Sequence, residues 1–330
     1  MQALYKKILQ KLNQSQNILI LTHPNPDGDA LGSSVGLYHI LKSWGKNAQL
    51  LFSGHIEPRI QFLIEEIKYA TSPQNLPKNF DCVLVLDIGD HSRIEHTLQH
   101  LSYQLLINID HHPSNQGFAH LNLVDPQASS TGEILCLLFE HNYTILPLKA
   151  AYAFYTAIVS DTGFFSFSNA TAKSLATASR LVATGIDTEA IVRHLQRSKP
   201  LALFKLEAEY LQQIQFSPHH KIAWGKITEQ MCQKYGVNLS EIGGFVEIPR
   251  CIQGVEISIL FKPSDEDGIS KVSLRSNDPQ LDVNAFASQF HGGGHTRAAG
   301  CTLPYDLKTT EQIIVKHIQE FFQKQKGFPP

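Results

Sequence analysis

The feature that most constrains the fold is an alternation of short, continuous apolar runs with amphipathic segments in the first half of the chain. One such segment, 30–44, has helical spacing and stops before Gly45. The apolar runs are 18–21, 48–52, 83–86 and 105–109. Strands buried on both faces are continuously apolar, and strands that alternate with helices form parallel sheets. The sequence therefore predicts an N-terminal α/β domain built on a doubly wound parallel sheet.

From residue 150 onward the chain has a different pattern. Residues 150–159 are apolar nearly all round, which predicts a buried helix or a helix that runs into a strand. A charged stretch around Pro200 predicts a helical linker, and beyond it strand-like segments surround a short helix and a glycine-rich loop at 292–294. This predicts a smaller α+β domain. The predicted boundaries are 1–187, 188–215 and 216–330, with a frayed tail at 327–330.

Composition excludes several classes of protein. A chain of 330 residues can bury two cores without disulfides, and its five cysteines are scattered without C-x-x-C spacing. A formal net charge of −2 argues against an extended basic surface for duplex DNA. No run approaches the roughly 18 apolar residues of a membrane span, and no signal peptide is recognisable. We therefore expect a cytoplasmic protein without a membrane partner.

Acidic and histidine residues lie at the ends of four of the predicted strands or helices. These residues are His23, Asp27, Asp29, Asp87, Asp110, His111, His112 and Asp161. The carboxyl ends of parallel strands meet at one edge of a sheet, and carboxylates that converge there repel one another unless cations neutralise them. Carboxylates and imidazoles without thiolates favour manganese or magnesium over structural zinc, and this set suffices for two ions. The sequence therefore predicts a two-metal site.

Several of these motifs together are similar to those of a known family. They are the string His23-Pro24-Asn25-Pro26-Asp27-Gly28-Asp29-Ala30, the strand end at Asp87, Asp110-His111-His112, Ser160-Asp161-Thr162-Gly163, Gly292-Gly293-Gly294-His295 and Ala298-Ala299-Gly300. In this order they resemble the DHH/DHHA1 phosphoesterase family, and the resemblance spans nearly the whole chain. It implies a catalytic DHH domain followed by a substrate-binding DHHA1 domain.

The resemblance also implies roles for the metal ligands. His23, Asp27 and Asp87 would hold one ion, with Mn²⁺ favoured over Mg²⁺. A second ion would be held by Asp29, Asp87, His111 and Asp161, with Asp87 bridging the two ions. His112 would contact phosphoryl oxygens and assist the leaving group, and Asp110 would orient an imidazole.

The implied substrate-binding residues are Asn115, Arg275, Ser276, Gly292, Gly293, Gly294 and His295. Asp110 and Asn115 are equally compatible with ordinary turn positions. Residues 129–133 form either a helix cap or a segment beside the site, and we favour the cap. Ser166 stands where relatives often have an arginine.

The implied activity is hydrolysis of short single-stranded RNA to mononucleotides and dephosphorylation of adenosine 3′,5′-bisphosphate (PAP), by a monomer or a homodimer. A hydrolase of linear dinucleotides such as pApA, an inorganic pyrophosphatase and a non-catalytic nucleotide sensor are the alternatives. The complete ligand set argues against the sensor, and the second domain argues against the pyrophosphatase.

Overall fold

The computed structural model describes residues 2–140, 146–264, 266–278 and 280–326. The chain divides between Ser198 and Lys199 into two compact units. The tail predicted to fray, 327–330, lies outside the described residues. Among the helices of the described ranges, none is both long and apolar enough to cross a bilayer.

The first unit contains a five-stranded parallel sheet. Its strands are β1 (Asn17–Leu21), β2 (Asn47–Leu51), β3 (Asn79–Leu86), β4 (Ser102–Asp110) and β5 (Leu121–Val124). They are arranged in the order β2-β1-β3-β4-β5, and all neighbouring pairs are parallel. The strand order reverses between β1 and β3, and ligands of such sheets bind beyond the carboxyl ends at that position. The predicted doubly wound α/β architecture is confirmed.

Both faces of this sheet are covered, which explains the continuous apolar runs. Ile18 and Ile20 of β1 belong to one hydrophobic core, and Leu19 and Leu21 belong to the core on the opposite face. Successive side chains of a strand point to opposite faces, so a strand between two cores needs apolar residues at every position.

Seven helices are described in the first unit. They are α1 (Gln2–Gln14), α2 (Gly28–Ser43), α3 (Glu95–Gln99), α4 (Thr131–Phe139), α5 (Leu148–Asp161), α6 (Ala172–Val182) and α7 (Thr188–Gln196). The apolar stretch 150–159 lies wholly within α5, so the alternative of a helix that runs into a strand is wrong. Its residues are apolar nearly all round because α5 packs against α2, α4 and α6.

The predicted linker, 188–215, consists largely of two helices that pack in different units. Ile191 and Leu195 of α7 belong to a core of the first unit. The next helix, α8 (Leu201–Gln212), contributes Leu206 and Tyr210 to a core of the second unit. The short connection between α7 and α8 contains the boundary between the two units.

The second unit contains a mixed six-stranded sheet. Its strands are β6 (Gln215–Phe216), β7 (Ile222–Lys226), β8 (Ile257–Pro263), β9 (Ser270–Ser276), β10 (Gly293–His295) and β11 (Ala298–Leu303), in the order β10-β11-β9-β8-β7-β6. Its other helices are α9 (Glu229–Tyr235), α10 (Val283–Ser288) and α11 (Leu307–Lys326). Only β7 and β8 pair in parallel among these strands. The predicted α+β class of this unit is confirmed.

The prediction of a glycine-rich loop at 292–294 is wrong for two of its three residues. Gly293 and Gly294 belong to strand β10, which pairs antiparallel with β11. A Cβ atom at Gly292 would lie 2.2 Å from the carbonyl oxygen of Gly300, and one at Gly294 would lie 2.4 Å from that of Ala298. These two glycines are therefore required by the close approach of the neighbouring strand.

Candidate metal centre

The loop after β1 supplies the first two predicted ligands. The His23 Nδ1 atom lies 3.0 Å from the carbonyl oxygen of Pro24, which can only accept, so Nδ1 is the donor. The other ring nitrogen, Nε2, lies 3.7 Å from Asp87 Oδ2. Asp27 caps α2, because its Oδ1 atom accepts hydrogen bonds from the N–H groups of Asp29 and Ala30. This cap uses one carboxylate oxygen only, so capping is compatible with metal ligation by the other.

Asp29 is buried at the N-terminus of a second helix, α4. Its Oδ2 atom accepts the N–H of Thr131 at 2.7 Å, and its Oδ1 atom accepts the N–H of Gly132 at 3.0 Å and the hydroxyl of Ser33 at 2.9 Å. Burial, with the charges of Asp87 and Asp161, raises the pKa of Asp29 well above its usual range. A divalent cation beside this carboxylate would offset both effects.

Asp87 lies at the centre of the cluster. Its φ of 59° turns the chain sharply at the end of β3, while its N–H still bonds the carbonyl oxygen of Ile109 on β4. Its Oδ1 atom lies 3.5 Å from His111 Nε2 and accepts the Thr131 hydroxyl at 3.1 Å. Burial favours a higher pKa for Asp87, but the nearby imidazoles of His23 and His111 hold it below the usual value.

His111 faces three carboxylates. Besides Asp87, its Nε2 atom lies 3.8 Å from Asp29 Oδ2 and 3.9 Å from Asp161 Oδ2. Asp161 is the last residue of α5, and burial together with the charge of Asp87 raises its pKa to about 6. The Nδ2 atom of Asn169 donates to Asp161 Oδ2 at 3.1 Å. The structure thus brings all six predicted metal ligands together.

His112 is oriented by a buried chain of hydrogen bonds. Its Nδ1 atom donates to Asp110 Oδ1 at 2.7 Å, and this bond raises the pKa of His112 to about 9. Asp110 is fully buried, and its other oxygen accepts Asn115 Nδ2 at 2.6 Å. Asn115 Nδ2 also lies 2.7 Å from Asn108 Oδ1. Asn115 therefore contacts the Asp110 carboxylate directly. Its contact with substrate stays a prediction.

The ligand atoms fit divalent metal ions. The ligand atoms of His23, Asp27 and Asp87 lie within 4.8 Å of one another. Those of Asp87, His111 and His112 do so as well, and this second group contains His112 in place of the predicted ligands Asp29 and Asp161. Asp87 belongs to both groups. Oxygen and imidazole donors without sulfur suit manganese or magnesium, because these are hard cations. Burial and the neighbouring carboxylates raise the pKa of Asp29 and Asp161, and a divalent cation would offset both effects.

The predicted substrate-binding residues of the second unit have varied surroundings. Arg275 Nε lies 2.6 Å from Glu247 Oε1 in an ion pair. Ser276 is buried, and its hydroxyl donates to the carbonyl oxygen of Asp278 at 2.8 Å. Gly293, Gly294 and His295 are exposed on β10, and Gly292 directly precedes this strand. Their contact with substrate stays a prediction.

Asn108 and Asn169 contact residues of the site and were not predicted. Thr131 and Gly132 were predicted only as part of the segment 129–133, for which the capping role was favoured. The pattern at 129–133 does cap α4, because Ser130 Oγ accepts the N–H of Glu133 at 3.1 Å. The same helix start also contacts Asp29 and Asp87, so the two interpretations of this segment are both correct. Asn108 and Asn169 have no local pattern that marks them.

Comparison with known proteins identifies the family. Residues 17–158 match the DHH family, N-terminal domain, and residues 225–324 match the DHHA1 domain. The chain is 32% identical to the bifunctional oligoribonuclease and PAP phosphatase NrnA of Thermus thermophilus, over 92% of this chain and 89% of the relative. The chain belongs to the DHH family of phosphoesterases. It is also 30% identical to NrnA of Bacillus subtilis, over 93% of this chain and 96% of that relative.

Solved structures share the DHH-family fold. An exopolyphosphatase-related protein from Bacteroides fragilis is 24% identical, with a TM-score of 0.92 over 99% of this chain and 98% of its own. RecJ in complex with Mn²⁺ from Thermus thermophilus is 15% identical, with a TM-score of 0.56 over 99% of this chain and 55% of its own. These likenesses support the DHH architecture described above.

Proposed function

We propose that this DHH-family enzyme hydrolyses short single-stranded RNA to mononucleotides and removes a phosphate from PAP. The observation that carries the proposal is the position of Asp87, whose Oδ2 atom lies 3.7 Å from His23 Nε2 and whose Oδ1 atom lies 3.5 Å from His111 Nε2. Similarity over nearly the full length of two relatives named bifunctional oligoribonuclease and PAP phosphatase supports the choice of substrates. Hydrolysis of phosphodiester and phosphomonoester bonds is the reaction class of the enzyme.

Two Mn²⁺ ions, or Mg²⁺ ions in their place, are the proposed cofactors. One would be held by His23, Asp27 and Asp87. The other would be held by Asp29, Asp87, His111 and Asp161. Paired divalent ions lower the pKa of water and neutralise charge on a phosphoryl group.

His112 and Asp110 have distinct proposed roles. The Asp110 carboxylate holds the His112 ring through Nδ1 and favours its protonated form, since it raises the pKa of His112 to about 9. A protonated imidazole donates a hydrogen bond to a phosphoryl oxygen and gives a proton to a leaving oxygen. Asp110 acts through His112 and is a positioning residue, and Asn115 and Asn108 keep the Asp110 carboxylate in place.

The second unit carries the proposed nucleotide-binding residues. They are Arg275, Ser276, Gly292, Gly293, Gly294 and His295. The functional division proposed from the sequence is a catalytic domain at 1–187, a linker at 188–215 and a substrate-binding domain at 216–330. A few arginines suffice for a short substrate, whereas binding of a long duplex draws on many contacts between phosphates and basic side chains, so no duplex DNA is expected as substrate. We further propose a cytoplasmic enzyme without a membrane partner, either monomeric or homodimeric.

Hydrolysis of linear dinucleotides such as pApA is the second candidate. The chain is 25% identical to the cyclic-di-AMP phosphodiesterase PdeA of Listeria monocytogenes, over 96% of this chain but only 49% of that relative. The same ligands would serve either reaction. The two candidates differ in whether PAP and RNA longer than a dinucleotide are hydrolysed.

A chromatographic time course with Mn²⁺ tests the proposal. The substrates are pApA, RNA of about five to seven nucleotides, a range comparable to one small binding site, PAP and inorganic pyrophosphate. Release of mononucleotides from RNA together with dephosphorylation of PAP is the expected result. Cleavage of pApA alone would replace the proposal with the second candidate. Absence of turnover with metal bound would indicate a nucleotide sensor.

The Asp87→Ala variant tests the shared carboxylate. It should abolish hydrolysis of RNA and PAP alike, because both proposed ions lose a ligand. Asp90→Asn is the matched control, since Asp90 is exposed and the described hydrogen bond of its carboxylate is from the nearby Ser92. Loss of RNA hydrolysis with PAP hydrolysis retained would contradict a common site.

A further inference from the structure

A carboxylate in the second unit is held between two arginines. Glu247 ends a short 3₁₀ helix, Leu239–Glu247, and its Oε1 atom accepts Arg275 Nε at 2.6 Å. Its Oε2 atom accepts Arg250 Nη1 at 2.5 Å. Arg250 lies in the following 3₁₀ turn, Pro249–Cys251, and Arg275 lies on β9. Two cations from separate elements therefore converge on one anionic position.

The two guanidinium groups are held in place independently of Glu247. Arg250 Nε donates to Asn277 Oδ1 at 2.9 Å, and Arg275 Nη1 donates to the carbonyl oxygen of Leu274 at 3.0 Å. The arginine side chains are 23% and 26% exposed, whereas the Glu247 side chain is 44% exposed. The arginine side chains are thus the more constrained partners, and the Glu247 side chain is the one that can move out of the two ion pairs.

Guanidinium groups bind carboxylates and phosphates in the same geometry, through parallel N–H bonds to two oxygens. We propose that Arg250 and Arg275 form a phosphate-binding site, that Glu247 occupies it in the absence of substrate, and that a nucleotide phosphate displaces Glu247. The assignment of the ligand as a nucleotide rests on the proposed function.

This arrangement makes Glu247 a specificity-determining residue. Because an anion must displace Glu247, its net binding free energy at this site is the difference between its own interaction with the arginines and that of Glu247. A phosphate group with more charge than a carboxylate competes well, whereas a neutral nucleoside does not compete at all. Arg250 is the second arm of the site, and no sequence pattern marks it.

Binding to the whole protein without divalent metal tests the proposal, because no turnover then occurs. The probes are inorganic phosphate, PAP, pApA and adenosine, each titrated by calorimetry into the wild type and the variants. Glu247→Gln should tighten binding of the phosphorylated probes by about three- to tenfold, which lies within the range expected for release of two partly exposed ion pairs. Arg250→Gln should weaken binding by about tenfold or more, and adenosine should be unaffected by either change.

Glu209→Gln is the matched control. Glu209 lies in the same unit and pairs with Lys234 and Tyr235, so the variant removes the same charge without touching the arginines. Glu247→Asp is a second variant with the charge retained, since the shorter side chain cannot bridge both arginines. Glu247→Asp should also tighten binding, and it serves as the test if Glu247→Gln does not fold.

Unchanged or weaker binding of phosphate and PAP to both Glu247 variants would overturn the proposal and leave a purely structural ion pair. A response to PAP with none to pApA, or the reverse, would support the site and identify which phosphate it takes. If Mn²⁺ produces no hydrolysis of RNA or PAP, the proposed function fails. Tighter binding of inorganic phosphate to Glu247→Gln would still support the anion site.

Discussion

Thr131 bonds two carboxylates of the cluster with two of its own atoms. Its N–H donates to Asp29 Oδ2, and its hydroxyl donates to Asp87 Oδ1 at 3.1 Å. The residue is fully buried, so these bonds have no competition from water. Mutation of groups that orient metal ligands in this way typically lowers the affinity for the metal by about 10- to 100-fold. Thr131 is therefore a positioning residue for the carboxylate that we propose to bridge the ions.

Thr131→Val should weaken Mn²⁺ binding by about 10- to 100-fold, because it removes the hydroxyl at nearly constant shape and keeps the N–H. Isothermal titration of Mn²⁺ without substrate measures this directly. Thr131→Ser is the matched control, since it keeps the hydroxyl, and its affinity should stay near that of the wild type. Equal affinity of the valine and serine variants would show that the hydroxyl bond to Asp87 is unimportant.

A second prediction at this scale concerns the pKa of His112, which is raised to about 9 by the bond to Asp110. Asp110→Asn removes the negative charge, so this pKa should fall toward the ordinary value of about 6.5. An NMR titration of the metal-free protein measures it, with His112→Gln to identify the resonance. Asp90→Asn should leave the titration unchanged. A pKa near 9 in the Asp110→Asn variant would contradict the assigned cause.

At the scale of elements, the approach of α2 to α5 positions carboxylates from both helices. Asp29 lies in the first turn of α2, and Asp161 is the last residue of α5. A Cβ atom at Gly32 would lie 2.6 Å from the carbonyl oxygen of Ala153. A Cβ atom at Gly28 would lie 2.1 Å from Ser160 Oγ. Glycine on this face of α2 therefore lets the two helices, and with them Asp29 and Asp161, come close together.

Gly32→Ala should lower the free energy of unfolding by about 1–3 kcal/mol, because the new methyl group meets backbone atoms of α5 that cannot move aside. It should also weaken Mn²⁺ binding, since α2 and α5 must separate. Denaturant unfolding and metal titration measure the two effects. Gly243→Ala is the control, because no atom lies within 4 Å of its added Cβ. A Gly32→Ala variant as stable as the wild type would contradict this packing.

For the whole molecule, the buried carboxyl groups of the metal centre make the free energy of unfolding depend on pH. In the metal-free protein, burial raises the pKa of Asp161 to about 6 and that of Asp29 well above its usual range. A raised pKa means that the protonated carboxyl favours the folded state. This stabilisation is complete below the unfolded pKa of about 4 and is lost as the pH rises through the folded value. Metal ions reverse the effect, because they bind the ionised carboxylates.

The thermal midpoint of the metal-free protein should therefore fall between about pH 5 and about pH 7.5, and Mn²⁺ should raise it more at the higher pH. Scanning calorimetry with and without Mn²⁺ measures this difference. Asp87→Ala should remove most of the metal-induced increase. A metal-induced increase that is the same at both pH values would show that the carboxylates are already ionised without metal.

Much of the first unit was predictable from local patterns. Continuous apolar runs predicted β1 to β4, because strands covered on both faces have no polar positions. Residues such as Asp87 and Asp110 were found because they follow two of these apolar runs directly. The short strand β5 and the helix α11 were not predicted. Strand β10 was taken for a loop, because three glycines are typical of a turn and only the neighbouring β11 explains them.

The sequence by itself determined the class of the fold, the residue types at the strand ends and the kind of metal they suit, because these depend on neighbours along the chain. The tertiary structure decided which groups meet. It joins Asp29 to Thr131, 102 residues away, and Glu247 to Arg275, 28 residues away. It also makes Asp87 common to both groups of ligand atoms. Such contacts have no local signal, since they arise only from strand order and helix packing.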